Sequence, residues 1–136
     1  VKLVFHHEDF DRDVSSGTSH ALSQWMELCS AFDVTDVIII NKTPDKLVYP
    51  NQEINVQTLP SLKYFLLLEE PYIFVEQGGH PCYSSLDYKG EWLVFGGHRG
   101  LPMIEGTKYV TIKTPVALYP REAAAVVMSN IWLTSL

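Results

Sequence analysis

Gly96, Gly97 and Gly100 fall within five positions, with His98 and Arg99 between them, in the stretch WLVFGGHRGLP (92–102). Glycine admits positive φ and leaves backbone bare, so three of them serve either a difficult turn or a ligand laid against the main chain. An imidazole exchanges protons near neutral pH, and a guanidinium pairs with phosphate. The stretch lacks the Lys-Ser/Thr of a P-loop, and it does not fit the dinucleotide pattern GxGxxG. Other reactive side chains are weaker signals. His6-His7 with Glu8 and Asp9, and His80 with Cys82, are metal-ligand types, but no CxxC or HxxxH spacing joins them. They read as surface histidines, and no metal is expected. Glu8, Asp9, Asp11 and Asp13 read as a solvated acidic loop. Ser, His and Asp are all present, but no GxSxG elbow holds a nucleophile.

Those loops need elements to hold them. VKLVF (1–5), VIII (37–40), YIFV (72–75), WLVF (92–95) and YVTI (109–112) are short apolar runs that predict buried strands. EINVQ (53–57) alternates like a further short strand. Leu22, Trp25, Met26, Leu28, Cys29 and Phe32 recur at helical spacing and predict a helix over about 19–32. Leu59–Leu68 predicts a second helix with Pro60 in its first turn, and Pro120–Leu133 a third. EQGGHP (76–81) reads as a break after Val75. Apolar strands alternating with helices predict an α/β fold, a mostly parallel sheet with helices on both faces, in one domain over 1–136. Ligands of such sheets lie beyond the carboxyl ends of the strands. Three of those ends carry unusual loops: EQGGHP, GGHRGLP and KTPVALYP.

Composition narrows the partners. Of the 136 residues, 46% are apolar, enough for a sizeable core, and no apolar run is long enough to span a membrane. The opening residues lack the pattern of a secretory signal peptide, and Cys29 and Cys82 read as reduced thiols, so a cytoplasmic setting is expected. The net charge of −6, with ten Lys and Arg, disfavours general polyanion binding, so any nucleic acid needs a local basic patch.

The order of segments resembles the SPOUT family of trefoil-knot RNA methyltransferases, most closely its small tRNA 2′-O-methyltransferase branch. VKLVF, the helix ending CSAFDV and then VIII look like the family's opening unit. WLVFGGHRGLP looks like its strand and glycine-rich loop, and YVTIKTPVALYPREAAAVVMSNIW like its last strand, loop and helix. The resemblance implies a C-terminal trefoil knot, bound S-adenosylmethionine, a tRNA or rRNA substrate methylated on a ribose 2′-O or on a base, and a homodimer. It implies that Val75 and Glu76 border the cofactor, that Gly96 and Gly97 lie against it, that Ile112 and Leu118 offer backbone to adenine, and that Ala123 lines the floor.

The chain departs from the family pattern where the family carries polar residues. No Arg stands between Gly17 and Phe32, and Glu27 falls where the family's Arg is expected. His98 stands nearest the position of a family Glu, and Tyr119 that of an Asn. The catalytic candidates are therefore His98, Arg99 and Arg12, with His20 and Tyr119 behind them. Two rival readings stand beside the methyltransferase. One is a catalytically degenerate knot-fold protein that binds S-adenosylmethionine or a protein partner without methyl transfer. The other is an unrelated α/β domain whose glycines merely turn.

Overall fold

The computed structural model describes residues 1–7, 20–41, 53–81, 88–97, 100–111 and 118–134, with backbone alone at 20–21 and 77–81. Among the described residues six strands are present: β1 (Lys2–His6), β2 (Asp36–Ile40), β3 (Asn55–Leu59), β4 (Tyr72–Pro81), β5 (Trp92–Phe95) and β6 (Tyr109–Thr111). Three helices accompany them: α1 (His20–Ala31), α2 (Leu62–Leu66) and α3 (Pro120–Thr134). The strands form one sheet in the order β3-β2-β1-β5-β4-β6, and every paired neighbour runs parallel.

Alternation along each strand divides the core into two faces. Leu3, Phe5, Val37, Ile39, Ile73, Leu93 and Phe95 point to one face, where Leu22, Trp25, Met26 and Cys29 of α1 and Ala124, Val127 and Met128 of α3 cover them. The Phe5 ring stacks on Trp25 at 4.3 Å between centroids. Val4, Ile38, Ile40, Phe74, Trp92 and Val94 point the other way, onto Phe65 of α2 and onto Leu101 and Ile104 of the chain that leads to β6. Both faces are buried, which is why the runs Leu3–Phe5, Val37–Ile40, Ile73–Val75 and Trp92–Phe95 are apolar at consecutive rather than alternate positions.

Local chemistry sets the ends of the helices. Asp33 takes a left-handed conformation, φ 53°, and the Val34 N–H reaches the Cys29 carbonyl at 3.0 Å, closing α1. At the start of α3 the Tyr119 N–H donates to the Glu122 carboxylate at 3.2 Å, half of a capping box, and Pro120 fills the first helical position.

Two segments differ from the sequence expectation. Residues 59–68 are not one helix: Leu59 ends β3, paired with Ile40, and α2 begins only after Pro60 and Ser61. Parallel pairing along Asn55–Leu59 outweighs helix propensity there. EQGGHP does not end its strand. β4 continues to Pro81, and its register against β6 shifts so that both Val75 and His80 sit opposite Val110. Glu76–Gly79 forms the irregular stretch between those two pairings, and Gly78-Gly79 lies inside it.

Candidate functional site

The topology places a switch point between β1 and β5. The chain leaving β1 leads to α1, on the face of Leu3 and Phe5. The chain leaving β5 leads to Leu101 and Ile104, on the opposite face. Neighbouring strands whose connections go to opposite faces leave a gap beyond their carboxyl ends.

The glycine loop at that gap folds back on itself. Gly97 and Gly100 form an antiparallel bridge, with the Gly100 N–H donating to the Gly97 carbonyl at 3.1 Å. A Cβ on Gly96 would lie 2.8 Å from the Gly100 carbonyl carbon, so Gly96 is required by space. Gly100 has φ +70°, and a Cβ there would meet the Glu76 carboxylate at 2.9 Å. The same carboxylate accepts from the Leu101 N–H at 2.6 Å. Glu76, at the irregular point of β4, thus clamps the far side of the loop. Further on, the Tyr109 hydroxyl accepts from the Ile104 N–H at 2.7 Å and donates to the Pro102 carbonyl at 2.6 Å. The returning chain is tied down at both ends. Gly96 and Gly100 therefore serve a tight turn in which the loop's own backbone packs against Gly96.

Buried polar residues gather at the same end of the sheet. Among the described residues they are His7, Asn41 and Thr111, each under 7% exposed. His7 follows β1, Asn41 follows β2 and Thr111 closes β6. The Asn41 side chain donates to the His7 carbonyl, and the His7 N–H donates to the Ile40 carbonyl at 3.0 Å. His6, half-buried, places Nδ1 2.8 Å from the Phe95 carbonyl, joining the end of β1 to the root of the glycine loop. His7 is thus no surface histidine, contrary to the sequence expectation, and His6 is partly enclosed.

The predicted site residues are placed unevenly. Val75 turns its side chain into the core, and its backbone pairs with Phe95 on one side and Val110 on the other. Glu76 is spent largely on the loop. Gly96 is buried and Gly97 half-buried. Leu118 is half-buried just before α3, and Ala123 packs against the α1-side core. His98, Arg99, Arg12 and Ile112 lie outside the described residues. The sequence offers His6 and His7 only as weak metal-ligand types and Asn41 as a loop residue; the doubled histidine straight after a buried strand is the signal that marks this end of the sheet. Burial pushes the Cys29 thiol up to about 12, so it stays protonated and is no nucleophile. Among the described residues no group of three His, Cys, Asp or Glu could hold a metal ion, and no helix is long and apolar enough to cross a membrane.

No protein-family model matches this sequence, and no curated protein does. Solved structures do. One, described as giving insights into 2-OH methylation of C or U at position 34 of tRNA, matches with TM-score 0.69 at 16% identity, covering 99% of this chain and 97% of its own. A TrmH/SpoU tRNA-modifying enzyme of A. aeolicus matches with TM-score 0.71 at 14% identity, over 97% of this chain and 74% of its own. An AdoMet-bound rRNA methyltransferase from Sinorhizobium meliloti matches with TM-score 0.69 at 13% identity. The match spans 99% of this chain and 56% of that one. Several such matches are to chains of which this one spans little more than half. The chain therefore has the fold seen in TrmH/SpoU RNA methyltransferases.

Proposed function

We propose that this chain is an S-adenosylmethionine-dependent methyltransferase acting on a ribose hydroxyl of RNA. One observation carries the reading. At the crevice beyond β1 and β5 a glycine loop folds so tightly that Gly96 cannot hold a Cβ, and Glu76 clamps it from β4. Backbone N–H and C=O groups presented in this way can read a purine edge without side chains. The same fold recurs in an AdoMet-bound enzyme, which supports the choice of cofactor.

In this reading 1–136 is one domain, and the segments after Val75, Phe95 and Ile112 would cross as a trefoil knot. Backbone at Val75, Glu76, Gly96, Gly97, Ile112 and Leu118 would hold the cofactor, with Ala123 beneath it. S-adenosylmethionine supplies an electrophilic methyl group; the protein has to orient the acceptor hydroxyl in line and receive its proton. Arg12 and Arg99 would pair with RNA phosphates, and His98 is a further catalytic candidate. At a net charge of −6 these cations would have to supply the local patch that RNA needs, and a homodimer would add a second set. Tyr119, Val126 and Leu133, seven residues apart on or beside α3 and all exposed, support a helix-to-helix dimer contact. Two cysteines, one buried and free, and an RNA substrate suit the cytoplasm.

Calorimetric titration with S-adenosylmethionine and S-adenosylhomocysteine tests this. Micromolar binding is expected, and Gly97→Trp should abolish it by filling the bare backbone. No binding of either ligand to the wild-type protein would contradict the reading. Binding without methyl transfer to any RNA would favour the degenerate knot-fold protein instead.

A further inference from the structure

We infer that His6 is the proton acceptor of the transfer reaction, taking the proton of the RNA hydroxyl on Nε2. The inference rests on the function proposed above. It starts from one hydrogen bond: His6 Nδ1 lies 2.8 Å from the Phe95 carbonyl oxygen. A carbonyl oxygen only accepts, so Nδ1 carries the hydrogen. In the uncharged ring Nε2 then holds the lone pair, and imidazole geometry directs it away from Phe95. The backbone of β5 therefore fixes both the tautomer and the ring plane, as a general base requires.

Position points the same way. His6 ends β1 and Phe95 ends β5, the two strands whose connections diverge to opposite faces and open the crevice. Gly96 and Gly97 follow Phe95 directly, so the ring stands beside the backbone proposed to hold the cofactor. The other titratable groups described at these strand ends are less suited. The Glu76 carboxylate is engaged by the Leu101 N–H, and His7 is only 4% exposed. α1, which leads away from β1's connection, carries Glu27 as its one charged residue. The half-buried imidazole of His6 is enclosed enough to be oriented and open enough to be reached.

The step balances. The hydroxyl proton passes to Nε2, and the hydroxyl oxygen bonds to the methyl carbon. The carbon–sulfur bond breaks with its electron pair left on sulfur. A methyl ether and S-adenosylhomocysteine result, and the imidazolium returns its proton to water.

Two measurements test the inference. Nitrogen-15 spectra of the wild-type protein should show His6 Nδ1 as the protonated, pyrrole-type nitrogen and Nε2 as the pyridine-type one; the opposite tautomer overturns the proposal. His6→Asn keeps an N–H donor for the Phe95 carbonyl and removes the base. This variant should bind S-adenosylhomocysteine as the wild type does and keep its KM for total tRNA, while kcat for transfer of a tritiated methyl falls about a hundredfold or more. Unchanged kcat in His6→Asn, with the wild type active, overturns the role of His6 alone. A wild-type protein that binds no S-adenosylhomocysteine, or transfers no methyl to total tRNA or rRNA, overturns this proposal together with the function it rests on.

Discussion

The two ends of the sheet are built from different materials. At the amino ends, side chains satisfy one another over a regular backbone. Asp36 accepts from Thr35 Oγ1 at 2.8 Å and from Asn55 Nδ2 at 3.0 Å. The Trp92 indole donates to Glu70 at 2.6 Å and lies under the Lys2 ammonium, 5.0 Å from the ring centroid. Gly90 and Gly106, which precede β5 and β6, have φ +91° and +82° with open space where a Cβ would go. They are glycines of conformation. At the carboxyl ends, buried polar residues bond to backbone, and Gly96 is a glycine of space. An end that only has to hold the sheet needs turns and paired charges. In the proposed function the carboxyl end has to admit a ligand, and there Glu76, Tyr109 and Asn41 hold backbone in place by hydrogen bonds.

Substitutions should separate the ends. Gly96→Ala is expected to have the largest effect. Its methyl meets main chain that cannot swing aside, so about 3 kcal/mol of stability should go, together with cofactor binding. Thermal unfolding and calorimetry would show both losses; a variant that binds normally would break the distinction between the two kinds of glycine. Glu76→Ala should come next. It removes a charge-assisted bond to the Leu101 N–H, costing about 2 kcal/mol and loosening the loop, so cofactor affinity should fall about tenfold or more. Trp92→Phe, at the opposite end, should cost about 1 kcal/mol by losing the bond to Glu70, with cofactor affinity unchanged. Gly106→Ala should cost a similar or smaller amount, about 1 kcal/mol, from its positive φ alone. A change in affinity from either of these last two would show that the amino end is not merely structural.

The sequence disclosed the frame better than the site. LVF (3–5), VIII and WLVF are apolar at every position because both faces of the sheet are covered, and that pattern is visible without coordinates. The helix over 20–31 is likewise legible in the spacing of Leu22, Trp25, Met26 and Cys29. Residues 59–68 were not, because Leu59 is a strand residue through its partner Ile40, a contact no local window contains. Gly78-Gly79 looks like the end of β4, yet the chain pairs with β6 again beyond it. The glycine-rich loop could be singled out by composition. Its clamp could not, since the bond from Leu101 to Glu76 spans two strand ends. His7 and Asn41 look like loop residues until the parallel pairing of β1 with β2 brings the Asn41 side chain to the His7 carbonyl. Burial of polar groups at a strand end depends on what lies beside the strand, and sequence order does not encode that directly.

Hydrogen exchange with and without S-adenosylhomocysteine tests the central claim most directly, because it reads both ends of the sheet in one experiment. The account predicts slowed exchange at Glu76, Gly96, Gly97, Gly100 and Leu101, and no change at Thr35, Asp36, Asn55 and Trp92. Protection confined to the amino ends, or none anywhere at saturating ligand, would contradict it.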